Sequence, residues 1–441
     1  MSQSSSARPT NPLATPSRRG FLALGGAAGL AGLLSACGVG GGGTEGSAGS
    51  GSGNIRALFM KQAGYSEENI NEMISSFQAA NKGIKVTADF VSYEALHDKI
   101  VAAAPAGTYD VVLIDVIWPA EFGSKNIVAD VTDRWPGSWK EQMLGGAVAT
   151  PQHDGKFYGV PWILDTKYLF ANTAHLKQAK VDPASLETWD GVLDAAKALK
   201  SAGVVEHPLV WSWQQAEALI CDYAQLLGAF GGTFLDDSGQ PAFNQEGGVA
   251  ALEFMRQTIV DGLSNPASTQ SLEEDVRRVF SAGQASLALN WTYMYGLANE
   301  PAESQIAGDV EVFRTPAGPT GQPGVNGSMG LALAAGSENQ DAGWKFIEYL
   351  TSKSIQEKYA LSSLPVWQAS YDDPQVVETN PAVVPVAKEQ LADLILRPQV
   401  DSYNAVSQAL QAELQSALLG DKDPQQALDD AASQASSVLG G

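Results

Sequence analysis

From residue 55 onward the chain alternates short apolar runs with stretches whose apolar positions recur at helical spacing. Ile55–Met60, Ile84–Phe90 and Val111–Ile114 read as strands, and Glu67–Ala80 and Tyr93–Ala104 between them read as helices. Strands separated by helices predict an α/β domain. Val111, Val112, Leu113 and Ile114 make a fully apolar strand that leaves Asp115 at its C-terminal end, where open α/β sheets bind ligands. A second region, from about Leu169 to Val325, carries helical patterns at Thr188–Ala202, Ala216–Leu227, Glu246–Ile259 and Leu272–Ala282, with strands at Leu209–Trp211 and Ser286–Asn290. A turn-rich run through Gly318, Pro319, Gly321, Pro323 and Gly324 precedes another apolar strand, Leu331–Ala334, and a helix over Asp341–Leu350. The last helical stretch, Tyr403–Leu419, stops at Gly420 as a C-cap would.

Upstream of residue 55 the pattern changes. Ser17, Arg18, Arg19, Gly20, Phe21 and Leu22 lead into an apolar run that reaches Leu34 and closes on Ser35, Ala36 and Cys37. The run is shorter than the roughly 18 apolar residues of a membrane span, and small residues before a cysteine mark a processing site. Residues 1–36 are therefore expected to be a twin-arginine lipoprotein signal peptide, with Cys37 as the lipidated residue. Residues 37–53, almost wholly Gly, Ser, Ala and Thr after the cysteine, would form a tether with a reach of roughly 20–25 Å. The body would then sit outside the cytoplasm, anchored to the outer face of the cell membrane.

A chain of 441 residues with 44% hydrophobic content has enough apolar side chains for two domains. Cys221 lies inside an apolar helical pattern and reads as a buried, inert thiol, so no disulfide framework is available. The formal charge is −22, and residues 1–36 contain three arginines and no acid, so their removal makes the body more acidic still. Nucleic-acid binding, which needs clustered Lys and Arg, is excluded on that ground. His97, His153, His175 and His207 are scattered without ligand spacing and read as surface or supporting groups, so neither a metal nor another cofactor is implied. Gly38–Gly43 lacks the preceding strand and following helix that a phosphate loop requires.

Aromatic residues recur beside carboxylates and amides: Asp115 with Trp118, Trp162 with Asp165, Trp211 and Trp213 with Gln214 and Gln215, and Trp291 with Tyr293. Sugars ask for that mixture, because their C–H faces stack on flat rings while their hydroxyls need fixed donors and acceptors. Core packing explains any one of these aromatics equally well; their pairing favours a binding site. A secreted glycoside hydrolase would draw on the same types, with Asp115, Glu121 and Asp165 as its carboxylates.

In order and spacing, the segments Ile55–Tyr65, Tyr109–Phe122, Tyr158–Asn172, Asn290–Tyr293, Gly327–Leu333 and Leu364–Trp367 resemble the extracellular sugar-binding proteins of bacterial ABC importers, a family that includes the maltose-binding and trehalose/maltose-binding proteins. The resemblance implies a two-lobed, periplasmic-binding-protein-like α/β fold of type II, with a hinge and a ligand cleft between the lobes. Lobe one would comprise residues 54–161 plus 330–364 and lobe two residues 167–325 plus 368–441, with crossings near Trp162–Thr166, Asn326–Met329 and Pro365–Gln368. It further implies that Asp115, Asp165 and Arg397 hydrogen-bond to sugar hydroxyls rather than act as a charge clamp, that Trp118 contacts the ligand, and that Trp291 and Tyr293 form the stacking pair. Gly327 and Ser328 match the hinge, while Trp162, Trp213 and Gln214 match by region. The loop carrying Gln62 and Tyr65 lacks the acid that many relatives have there. The implied partners are a di- or oligosaccharide, such as an α-glucoside, and the permease of an ABC importer. The receptor itself would be a monomer without catalysis. A ligand-sensing lipoprotein that does not transport would share all of these features.

Overall fold

The computed structural model describes residues 53–61 and 64–440. The signal segment, Cys37, the tether up to residue 52, and Gln62 lie outside the described residues.

Lobe one is built on a five-stranded sheet in the order Ile84–Val91, Gly53–Met60, Val111–Asp115, Met329–Leu333, Val160–Ile163. The first three strands are parallel, as strands joined through helices must be. Met329–Leu333 runs antiparallel to both of its neighbours, so the chain returns from elsewhere to complete this sheet. Glu67–Ala80 forms the first connecting helix because Ile70, Met73, Ile74 and Phe77 fall on one face and are buried. Its start is fixed by Ser66, whose hydroxyl accepts from the Asn69 amide while Asn69 accepts from the Ser66 amide. The strand Val111–Asp115 is buried along its whole length and ends on the acid, as its apolar pattern predicts.

Lobe two has a four-stranded sheet in the order Val310–Phe313, Lys167–Asn172, Leu287–Trp291, Leu209–Val210. One face of it packs on the helices Trp189–Ser201, Glu217–Ala229 and Glu246–Val260, with Trp189, Leu219, Tyr223 and Met255 at the centre. The helix Tyr403–Leu419 joins this layer through Val406, Leu410 and Leu414 and ends on Gly420, whose φ of 85° suits a residue without a Cβ. It is not the last helix. Pro424–Leu439 follows, capped by Asp423 and started by Pro424, and buries Ala427, Leu428, Ala431, Ala432 and Ala435. Its contact face is mostly alanine, a weak hydrophobic signal that reads as a solvated tail.

Two of the three crossings are short. The chain passes from sheet one to sheet two between Ile163 and Lys167, and back between Val325 and Met329. The third is longer than expected, and residues 368–441 do not all belong to lobe two. Trp367 bridges to Met143 in lobe one, and Gln390 bonds to Thr315 and Gln322 of lobe two. Leu394–Ile395 then pairs with Gly324–Val325, and Gln399 reaches back to the carbonyls of Val116 and Ala149. The chain thus weaves between the lobes until it enters the helix at Tyr403.

The packing of the final helix generates a stability prediction. Leu428 is fully buried, and Leu428→Ala should cost about 2–5 kcal/mol of unfolding free energy. Denaturant titration checks it, and an unchanged midpoint would show that this helix contributes nothing to the lobe.

Candidate functional site

Between the lobes lies a cleft of about 490 Å³. It gathers Asp115, Trp118, Asp165, Gln214, Trp291, Tyr293, Gly327 and Arg397 from the residues singled out in the sequence. The others are elsewhere. Trp213 is fully buried in the core of lobe two, stacked on Trp211 at 5.0 Å with the rings 3° from parallel; the chain alternates there, so Gln214 faces the cleft and the indole faces inward. Trp162 and Tyr65 pack on each other at 4.7 Å within lobe one, and Phe59 and Tyr359 close around them. Ser328 is buried in the return crossing, where its carbonyl accepts from the Val116 amide. These four aromatic and hinge residues support the walls rather than line them.

The floor of the cleft is an ion cluster. Arg397 is 1% exposed, and its Nη2 donates to Asp115 Oδ1 at 2.9 Å and to the Asn326 carbonyl at 3.3 Å, while Nη1 donates to Glu217 Oε1 at 2.8 Å. Burial works against the arginine's charge, but Asp115 and other neighbours, Glu217 among them, outweigh it and hold the guanidinium more firmly protonated than usual. Asp115 and Arg397 pair with each other, and Glu217 of lobe two completes the cluster. Glu217 is the first residue of its helix, where the helix dipole favours a carboxylate, and it also accepts from Tyr403, Ser407 and Gln411. Arg397 Nε is buried and has no hydrogen-bond partner among the described residues.

Asp115 Oδ2 accepts from the Tyr93 hydroxyl at 2.9 Å, and the Tyr93 ring lies 6.0 Å from Trp118, 18° from parallel. Burial, then the Asp115 charge, pushes the Tyr93 hydroxyl well above its usual range, so it stays a donor. His97, one helical turn on from Tyr93, packs on Trp118 at 5.4 Å and donates from Nε2 to Glu121 at 2.9 Å, with the Asn404 side-chain amide beside the same nitrogen. Burial lowers its affinity for a proton, but Glu121 and Asp98 together outweigh that and raise it. Of the four histidines, this one lines the cleft, which its scattered position in the sequence did not suggest.

On the opposite wall Trp291 ends its strand and is fixed from three sides. Its Nε1 donates to Glu273 at 3.2 Å, and the buried Lys167 ammonium sits 5.3 Å from its ring centre. A Cβ added to Gly327 would lie 2.2 Å from the indole edge, so only glycine leaves room for the ring. Lys167 is itself held by Asp222 at 2.6 Å and Ser212 at 2.7 Å. Burial opposes its charge, and Asp222 and Glu273 more than restore it. Tyr293 donates to Glu274 at 3.4 Å.

Asp165, in the first crossing, accepts from the Thr166 amide and from both the amide and the hydroxyl of Thr292 in lobe two. It has no cationic partner among the described residues, and burial raises it to about 7 against the pull of those three donors. Cys221 also borders the cleft, but burial pushes its thiol up to about 12, so it is not a nucleophile. Among the described residues no group of His, Cys, Asp and Glu has a metal-binding arrangement.

Two α/β lobes, joined by crossing segments around a polar cleft walled by aromatic rings, define a two-lobed binding receptor. The bacterial extracellular solute-binding protein profile matches residues 61–357, and the chain belongs to that family, the solute-binding proteins of ABC transporters. The maltose-bound MalE3 of T. maritima is similar at 30% identity and a TM-score of 0.81, covering 88% of this chain and 100% of that one. The GacH receptor of Streptomyces glaucescens, solved unliganded and with acarbose, has the same fold at a TM-score of 0.76 and 22% identity, over 88% of this chain and 99% of that one. A probable ABC transporter-binding protein of Deinococcus radiodurans is 28% identical over 349 residues, 76% of this chain and 81% of that protein.

Two predictions follow from this geometry. Arg397→Ala strands two carboxylates at the cleft floor and should cost about 3–5 kcal/mol in stability; denaturant titration reads it, and a loss under about 1 kcal/mol would show that the cluster is solvated. Asp165 concerns pH. A carboxyl raised in the folded state makes folding more favourable while it stays protonated, so its contribution is present below the ordinary range and is lost as pH rises from about 4 through about 7. Wild-type protein should therefore lose stability across that window relative to Asp165→Asn, by on the order of a few kcal/mol. Parallel curves for the two proteins would show that Asp165 is ionised throughout.

Proposed function

We propose that the protein captures a carbohydrate in its interlobe cleft and hands it to the permease of an ABC importer. The observation that carries this reading is the pairing across one cleft of the Tyr93–Trp118 face with the Trp291–Tyr293 face, with Asp115, Asp165, Gln214 and Arg397 arranged between them. Flat rings on two sides take the C–H faces of a sugar, and the polar groups between them take its hydroxyls. A volume of about 490 Å³ suits a di- or oligosaccharide such as an α-glucoside, and the 30% identity to a maltose-bound receptor over its whole length supports the same class. The ligand would bridge the lobes, and its contacts to both would favour their closed arrangement, which the permease reads.

The carboxylates argue for binding rather than glycoside hydrolysis. Asp115 is neutralised by Arg397, and Glu121 by His97 and Lys125, which leaves Asp165 as a lone raised acid without the free carboxylate partner that hydrolysis needs from that set. Export directed by Arg18 and Arg19, followed by lipid attachment at Cys37, would place the receptor on the outer face of the cell membrane.

A thermal-shift panel of mono-, di- and oligosaccharides tests the reading, because a ligand at ~100 times its dissociation constant adds about 2.7 kcal/mol. Trp291→Ala should weaken the best ligand by roughly tenfold or more in calorimetry, with the fold intact. Wild-type affinity in that variant would move the site elsewhere, and release of reducing sugar during prolonged incubation would make the protein a hydrolase. Cys37→Ala should shift the protein from the membrane fraction to the medium, and unchanged fractionation would remove the anchor from the proposal.

A further inference from the structure

The cleft is unevenly charged. Seven carboxylates border it, Glu94, Asp98, Asp115, Asp165, Glu217, Glu273 and Glu274, against two fixed cations, Lys61 and Arg397. Pairing does not remove the imbalance. Arg397 is shared by Asp115 and Glu217, Lys167 by Asp222 and Glu273, and Arg277 by Glu274 and Glu303, with Arg278 also facing Glu274. Lys61 faces Glu67. Glu94 has no cation within ion-pair distance among the described residues, and Asp98 has only His97. The positive ends of helices soften the charge at Glu94, Glu217, Glu273 and Glu274. Asp165 has no such help: it sits in a crossing segment, 7% exposed, borders the cleft, and meets only neutral donors. A cleft with low-dielectric walls and one sign of charge focuses its field on whatever enters.

Resting on the carbohydrate reading above, we infer that the cleft selects its ligand by charge: it favours saccharides that carry a protonated amine, admits neutral ones, and rejects sugar acids and sugar phosphates. An ammonium entering beside Asp165 supplies the counter-charge this buried carboxylate lacks. A carboxylate or phosphate entering there meets Glu94, which has no cation within ion-pair distance among the described residues, and Asp98 and Glu273, whose cationic partners are a histidine and a shared lysine.

The test is isothermal titration with two matched sets of probes. Maltitol, 1-amino-1-deoxymaltitol and maltobionate differ at one open-chain end in being neutral, cationic and anionic; glucose, 6-amino-6-deoxyglucose and glucuronate do the same at C6 of a ring. At low salt the amine should bind roughly tenfold or more tighter than its neutral partner and the acid roughly tenfold or more weaker, because like charges brought together in an interface are strongly unfavourable. Raising the salt to about 0.5 M should narrow both gaps. The double variant Glu94→Gln, Asp98→Asn removes two exposed rim charges without touching the core, and should cut the amine-to-neutral ratio at least threefold. Acids that bind as well as their neutral partners, or a ratio untouched by salt and by the double variant, overturn charge selection while leaving carbohydrate capture standing. Failure of every neutral and cationic probe, together with the wider sugar panel, overturns the carbohydrate reading, and charge selection falls with it.

Discussion

The guanidinium of Arg397 is the point at which the separate parts of the molecule meet. One nitrogen binds Asp115, at the end of a lobe-one strand, and also touches the Asn326 carbonyl in the return crossing. The other binds Glu217, the first residue of a lobe-two helix. A buried ion cluster is costly to form and far more costly to leave half formed, because each charge has already given up its water. Its value is therefore in position more than in net stability: it fixes where a strand end, a hinge and a helix start must lie relative to one another. The aromatic walls follow from that placement. Tyr93 is oriented by Asp115, and Trp118 by Tyr93, so one wall is set from the floor upward.

The opposite wall uses the same logic with a different cation. Lys167 starts the second strand of the crossing and lies opposite Trp291 in register, so its ammonium comes to rest near the indole ring and beside Asp222 and Glu273. Gly327, lacking a Cβ, leaves the room that the indole edge occupies. Gly327 of the return crossing and the cleft-lining ring of Trp291 thus lie against each other.

Much of this was legible in the chain. An unbroken apolar run ending on an acid placed Asp115 at a strand end, and the capped, one-faced pattern of Glu67–Ala80 gave that helix its bounds. What was not legible has physical causes. Trp213 and Gln214 are neighbours in sequence and point opposite ways, which composition cannot resolve. Tyr93 and His97 lie on an amphipathic helix where a polar tip reads as a solvated face, and their role comes from Asp115, Glu121 and Asn404, distant in sequence. Lys167 reads as the edge of a strand, since nothing local announces that Asp222, 55 residues on, will neutralise it. The strand Val160–Ile163 contains a proline, and the helix Pro424–Leu439 presents alanines, so both fall below the threshold of a periodic pattern.

The placement of the return strand has a consequence for how the chain must be made. Met329–Leu333 lies inside the first sheet, between Val111–Asp115 and Val160–Ile163, so that sheet stays incomplete until residue 333 has left the ribosome. Lobe two waits longer, since its helical layer is closed by Tyr403–Leu419 and Pro424–Leu439. Neither lobe is a continuous segment that can finish folding while the rest is still being synthesised. Contacts of such long sequence separation are slow to form and leave apolar surface open in the meantime. The nascent chain therefore keeps apolar surface of both lobes open through most of its synthesis, lobe two's for longer than lobe one's.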